Sequence, residues 1–310
     1  MIEELINNYE VSAVLCTATQ PALKSFFKSG ILATELCPRM EEQFEFFKRT
    51  VFEDTGILTE EKLVKKINKE YQALCIVNTK KRAQRLYRML EGEGIYHLST
   101  SMYPKHRNCV LQEIRNRLRR NERCILVSTS LVEAGVDLEF CSVYRELAGI
   151  DAMIQAAGRC NREGKRALGE SKVFVFWFEG KQNILGQRQQ IGVAKSLISD
   201  GRNISDAETI TKYFEMLYHI KGDSLDKKKI LDEFQGKNMK YNFAKVGKEF
   251  KLIEQNTKTI FINREEVANE ILIRLKERGV TRLEMRKAGQ YCVTAVSYTH
   301  LRAHETLSDL

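Results

Sequence analysis

The 310-residue chain contains no Gly-x-x-x-x-Gly-Lys-Ser/Thr stretch, so it brings no loop of its own to wrap nucleotide phosphates. No acidic box stands after an apolar strand where magnesium would be held, and no His-Asp dipeptide occurs anywhere. Asp232-Glu-Phe-Gln235 has the letters of such a box, but no apolar strand precedes it, and it reads as a helix end. The eight cysteines lack metal-ligand spacing, the nearest two being Cys109 and Cys124. His300 and His304 stand four apart without a third ligand, so no metal site is expected. Cys16, Cys75 and Cys124 lie in apolar runs, where a free thiol behaves as a small hydrophobe, and a reducing compartment fits. No apolar run approaches the roughly 20 residues of a spanning helix. The start, Met1-Ile-Glu-Glu-Leu-Ile-Asn7, carries acid where a secretory signal carries base. No membrane partner and a cytoplasmic location are expected.

What is present is a core and an excess of positive charge. Hydrophobic residues make up 43% of the chain, enough for a folded protein, and the net charge is +9 with a pI near 9.0. Much of that charge falls on two predicted helices, one with Lys80, Lys81, Arg82, Arg85 and Arg88, the other with Lys105, Arg107, Arg115, Arg117, Arg119, Arg120 and Arg123. Solvated helix faces account for such runs as readily as a polyanionic partner does, until the motifs beside them are considered.

The octet Gln155-Ala-Ala-Gly158-Arg159-Cys-Asn-Arg162 carries the most information. On a helix its two arginines would share a face and could grip one polyanion, their forks suiting phosphate oxygens. Gln155 lies one turn earlier, where it could orient a water or a phosphate oxygen, and Gly158 leaves room for a phosphate to come close. Upstream, the apolar run Cys124-Ile-Leu-Val127 reads as a buried strand, followed by Ser128, Thr129, Gly135 and Asp137. Taken singly, these are also the residues of turns and caps.

In this order and spacing they resemble motifs V and VI of superfamily 2 helicases. The run from Ala148 to Gly164 resembles one branch of these, the CRISPR-associated helicase-nuclease of type I interference systems. The resemblance implies that Ser128 and Thr129 meet a nucleic-acid phosphate, that Gly135, Asp137 and Gly158 lie against the nucleotide, and that Gln155, Arg159 and Arg162 act in catalysis. Thr17-Ala18-Thr19 after the apolar run Ser12 to Cys16 is similar to motif III, Asn78-Thr79 to motif IV, and Leu98 to Arg107 to a stretch that touches backbone phosphates. Thr17, Thr19, Asn78, Thr79 and Arg107 are thus further nucleic-acid candidates, although Thr and Asn also favour strand ends and helix caps.

Strand and helix alternate from about residue 70 to 180, which predicts an α/β fold, a RecA-like parallel sheet with helices on both faces. Thr79 is expected to cap a helix with Ala83, Leu86, Tyr87 and Leu90 inside, and Pro104 to open one with Val110, Leu111, Ile114 and Leu118 inside. Strands are expected at Ile95 to Leu98, Ser142 to Arg145 and Val173 to Phe178, with the arginine-bearing helix from about Ala152. Ligands of such sheets bind beyond the carboxyl ends of the strands, so the arginines are expected to face that rim beside the Gly135-Val-Asp137 turn.

The expected organisation is the end of a first motor domain at 1–30, a second RecA-like domain at 31–182, a mainly helical accessory region at 183–296 and a read-through tail at 297–310. The 30–65 stretch is read as a lead-in, with a helix from about Glu60 to Tyr71. In the accessory region, Ser205-Asp-Ala-Glu208 predicts a capping box, a further helix runs from about Glu265 to Arg278 and stops at Gly279, and Phe250 to Ile253 is expected to pair with Thr259 to Ile262.

By resemblance, the intact protein is an enzyme with ATP and magnesium as cofactors, held mainly by a first motor domain of which this chain is expected to lack most. Its implied partners are single-stranded DNA and an RNA-guided surveillance complex. The chain alone, read as a C-terminal fragment with Met1 an internal start or a broken gene model, is expected to be inactive. Two alternatives remain: another superfamily 2 helicase working on DNA or RNA, and a non-catalytic basic module that binds nucleic acid.

Overall fold

A computed structural model of the chain describes residues 2–17, 19, 22, 27, 34–37, 39–133, 135–180, 184, 186–234, 242–250 and 257–296. Two largely apolar runs, β2 (Gln72–Ile76) and β4 (Cys124–Ser128), and the more polar β5 (Ser142–Glu146) are buried at every residue. Burial on both faces removes any need for polar alternation in β2 and β4, as in a covered parallel sheet. All three join β1 (Val51–Leu58), β3 (Ile95–Leu98) and β6 (Lys172–Phe178) in a six-stranded sheet of order β1-β6-β5-β2-β4-β3. The pairs β1–β6, β6–β5, β5–β2 and β2–β4 are all parallel.

Successive side chains of these strands point to opposite faces, and each face has its own helices. Ala73, Cys75, Val77, Ile125, Val127 and Phe176 pack against α3 (Glu60–Ile67) and α4 (Lys80–Met89) through Leu63, Val64, Ile67, Ala83 and Leu86. Val175 and Leu147 pack on the other side against α6 (Ile150–Ala157), α7 (Arg188–Ser199) and α8 (Ala207–Lys221). Each fully buried Leu or Ile in these layers stabilises the fold by about 1.5–3 kcal/mol. This is the expected RecA-like α/β architecture. Thr59 and Thr79 start α3 and α4 by accepting the backbone N–H groups of Lys62 and Arg82. Two other helices, α1 (Ile2–Tyr9) and α2 (Met40–Phe46), precede the sheet, and α5 (Pro104–Arg119) opens at its proline as predicted.

The lead-in contains a strand that its sequence hides: β1 is polar at Glu53, Asp54 and Thr55, is irregular in register between Asp54 and Gly56, and among the described residues pairs with β6 alone. Conversely, residues 12–16 form no strand, and Val14 and Leu15 are 72% and 45% exposed. A strand needs a hydrogen-bonded neighbour, and none pairs with this run among the described residues. Ala18 of the same motif lies outside them. Both α7 and α8 come from the stretch read as accessory, yet they share a core with the sheet. The capping box does not form at α8: the Ser205 hydroxyl donates to Asn203 Oδ1 at 2.9 Å, Glu208 pairs with Arg202 at 2.9 Å, and the Asp206 carbonyl accepts the first helical N–H.

Chain contacts separate two compact units, 1–97 with 114–221 and 98–113 with 222–310. The second unit holds α9 (Phe243–Glu249), α10 (Glu266–Arg278) and α11 (Arg282–Ala288), and α10 stops at Gly279 as read from the sequence. Its core joins Ala268, Ile271, Ala288 and Tyr291, with Tyr103 packed against them and donating to Glu265 Oε1 at 2.6 Å. The hairpin expected around Gln255-Asn256 is corrected. β7 (Thr257–Phe261) pairs antiparallel with β8 (Cys292–Val296), and 251–256 lie outside the described residues, as do His300, His304 and the 297–310 tail.

Candidate nucleotide and nucleic-acid site

The two arginines of the octet do not ride on a helix. α6 ends at Ala157, Gly158 caps it in ordinary helical geometry, and Asn161 turns the chain with φ 50, a left-handed conformation that Asn tolerates better than most residues. Both local and long-range bonds hold this turn. Asn161 Nδ2 donates to the carbonyls of Arg49 at 3.0 Å and Arg166 at 2.9 Å, its Oδ1 accepts from Arg166 N at 3.0 Å, and Cys160 forms a parallel bridge with Phe140.

From this turn both guanidiniums reach the loop that follows β4. Arg159 donates through Nε to Val132 O at 2.9 Å and through Nη2 to Glu133 O at 2.8 Å, while Arg162 Nη1 lies 3.1 Å from Asp137 Oδ1. The Gly135-Val-Asp137 turn is therefore beside them, as expected, but the rim is not the expected one. Arg49, Phe140, Cys160 and Ser171 all stand at the amino ends of β1, β5 and β6. The reason is geometric: α6 leaves the carboxyl end of β5 and must run back across the sheet before β6 can start parallel to it. The loop 129–139 joins the two rims, with Thr129 at the carboxyl end of β4 and Asp137 near the start of β5.

Burial lowers the Arg159 pKa from its ordinary value, and the neighbouring Arg162 charge lowers it further; the group stays cationic. Gly135 has φ 72, which disfavours any side chain, and open space lies where its Cβ would be. Gly158 is exposed, and a Cβ there would touch only carbonyls of its own helix, so its backbone geometry does not demand glycine. Gln155 is half-buried one turn earlier. Among the described residues no three His, Cys, Asp or Glu side chains gather to hold a metal ion.

At the carboxyl rim the structure shows a buried polar network that the sequence reading missed. Glu146, with a fully buried side chain, accepts from Asn78 N at 2.7 Å and pairs with Arg82 at 2.9 Å. Arg145, 2% exposed, donates through Nη1 to Asn78 Oδ1 and to Glu146 O, both at 2.7 Å, and its Nη2 stands 2.9 Å from Glu133 Oε1. That last contact is an ion pair off the hydrogen-bond direction, since Glu133 Oε1 has no hydrogen-bond partner among the described residues. Burial raises the Glu133 pKa, and Arg145 opposes the rise. The available signal was the charged pair Arg145-Glu146 at the end of a strand in a covered sheet.

Asn78 is thus committed inside the protein: its amide nitrogen donates to Leu147 O at 2.9 Å and its oxygen is held by Arg145. Thr79 is occupied as a helix cap. Ser128 is fully buried and donates to Thr129 O, whereas Thr129 is 9% exposed and its side chain caps nothing. Thr17 and Thr19 bond to each other in a local turn. Arg107 sits in α5, in the part of that helix that groups with the second unit. The basic helices are less free than their composition implies. Arg82 and Arg85 both pair with Glu60, Arg117 and Arg120 lie near Glu122, and Arg123 donates to Glu93 O. No helix among the described residues is long and apolar enough to cross a membrane.

A family model described as CRISPR-associated nuclease/helicase Cas3, C-terminal, matches residues 69–165, which hold β2 through α6 and both arginines. The CRISPR-associated nuclease/helicase Cas3 of Methanothermobacter thermautotrophicus is 29% identical over 112 residues, 35% of this chain and 14% of that protein. Among solved structures, T. fusca Cas3 with ATP covers 80% of this chain and 36% of its own length at a TM-score of 0.56 and 14% identity. A CRISPR RNA-guided surveillance complex, pre-nicking, contains a chain similar at TM-score 0.50 and 15% identity, over 80% of this chain and 37% of that one. The chain thus spans about a seventh of the curated relative and little more than a third of these structures. The family match and the relative make residues 69–165 similar to the C-terminal domain of the Cas3 helicases, and the solved structures share the fold; together they support a Cas3-like helicase C-terminal part.

Proposed function

We propose that Arg159 and Arg162, with Gly135, Asp137 and Gly158, form the half of an ATP site that a second motor domain contributes. The chain would then be part of an ATP-dependent translocase on single-stranded DNA, acting in CRISPR interference with an RNA-guided surveillance complex. One observation carries the reading: two guanidiniums converge on the loop 132–137, where burial and then the Arg162 charge weaken the hold of Arg159 on its proton, a crowding of positive charge that a polyanion answers. The Arg162–Asp137 pair is exposed on both sides, so it is worth about 0–1 kcal/mol and yields to a phosphate. The residues present fit a triphosphate from the guanidinium side. ATP supplies the phosphoryl group whose developing charge these arginines would stabilise, magnesium being held mainly by the motor domain that owns the phosphate loop. Gln155 would orient the attacking water. Thr129, the more exposed residue of its pair, would take a DNA phosphate, Thr17 and Thr19 and, in the second unit, Arg107 being further candidates for backbone contacts, while Asn78, Thr79 and Ser128 support Thr129 from within.

The purified chain should show no ATPase above background at any salt or DNA concentration, and robust hydrolysis would refute the half-site. Joined in cis to a phosphate-loop motor domain it should hydrolyse ATP when single-stranded DNA is added. Arg162→Ala should lower that rate by about 10³ or more. Stimulation by RNA in place of DNA would point to a different substrate.

A further inference from the structure

Arg145 belongs to neither helicase motif, yet its one guanidinium touches three segments. It holds Asn78 Oδ1 after β2, the Glu146 carbonyl at the end of β5, and the Glu133 carboxylate in the loop after β4. Glu133 in turn offers its carbonyl, beside that of Val132, to the fork of Arg159. A chain of contacts therefore runs from the carboxyl rim at Asn78, through Arg145 and Glu133, to the arginine at the amino rim. The bracket is fully inside the protein, since the Arg145 side chain is 2% and the Glu133 side chain 8% exposed. Such a charge cannot be repaid by solvent, so the loop must stay where Glu133 can reach Arg145.

We infer that Arg145 is a positioning residue: through Glu133 it fixes the loop 129–137, and so sets Thr129 for nucleic acid and the Val132 and Glu133 carbonyls for Arg159. The inference rests on the function proposed above for that loop, but the bracket itself is independent of it. Lysine cannot replace it, because a compact ammonium on a flexible stem cannot bond Asn78 Oδ1 and the Glu146 carbonyl while a second nitrogen stands against Glu133.

The test uses this chain with Arg145→Lys and with the neutral double variant Arg145→Met/Glu133→Gln, which removes both buried charges together and so guards against simple unfolding. Amide hydrogen exchange in 130–137 should rise at least about tenfold in both, while β2 and β4 stay protected. Affinity for a single-stranded oligonucleotide should fall about fivefold or more, with the dependence on salt concentration unchanged. A residue that itself met a phosphate would lower that slope by about one unit. Wild-type exchange in 130–137 of folded variants would overturn the inference, as would protection lost evenly across the strands or a reduced salt slope. If the wild-type chain binds no oligonucleotide, the proposed function fails, and the exchange measurement still decides the bracket.

Discussion

Replacing Glu146 tests whether the buried network at the carboxyl rim stabilises the fold by the bonds seen. Its carboxylate is fully buried, accepts the Asn78 backbone N–H at 2.7 Å and pairs with Arg82 at 2.9 Å. Glu146→Ala strands that N–H, at about 1–3 kcal/mol, and removes a charged hydrogen bond worth about 1.5–3 kcal/mol. Arg82 softens the loss because it keeps Glu60 at 3.4 Å and the ring of Phe178 at 4.2 Å. A net loss of about 3–5 kcal/mol follows, or a fall in Tm of roughly 6–20 °C. Glu146→Gln keeps an acceptor for Asn78 and should cost about 1–2 kcal/mol. Urea unfolding of the three proteins at neutral pH measures the order. Equal losses for Ala and Gln, or a loss below about 1 kcal/mol for Ala, would refute the argument, because the backbone bond would then carry no weight.

Two further outcomes follow from buried titratable groups. Burial lowers the pKa of His97, whose Nε2 has no hydrogen-bond partner among the described residues, so below its ordinary value of 6.5 the unfolded chain takes up the proton first. Its contribution is complete above that pH and is lost as pH falls toward the folded value; the stability of His97→Phe, measured by urea melts between pH 5 and 8, should therefore decline less on the acid side (about 6.5 being the unfolded midpoint). Burial pushes the Cys160 thiol up to about 12 and the Cys75 thiol higher still, whereas Cys16, Cys37 and Cys109 are exposed. Iodoacetamide on the native protein, followed by peptide mass spectrometry, should label those three long before Cys75, Cys124 or Cys160, and early labelling of Cys160 would contradict the packing at the arginine turn.

The parts of this fold readable from sequence are those decided locally. Apolar runs gave β2, β4 and β6, the alternation of strand and helix gave β5, and Thr79, Pro104 and Gly279 marked helix ends by their own side chains or backbone freedom. What was missed depends on distant partners. β1 is half polar because it lies on an edge with one neighbour, and the run 12–16 is apolar yet pairs with nothing described. The residues of the arginine turn could be named in advance, but not their geometry. Gly158 to Arg162 read as continuing helix, and only the bonds to Arg49, Phe140 and Arg166 turn the chain away. Glu133, Arg145 and Glu146 look like ordinary surface charges until three strands bring them together out of water.

The arginine turn is tied from both sides to the segment ahead of β1. Asn161 holds the Arg49 carbonyl, and the Arg49 guanidinium returns a bond to the Arg162 carbonyl. Whatever grips or displaces residues 47–50 therefore has a lever on the aim of Arg162, more than a hundred positions downstream, without touching the loop that Arg162 faces.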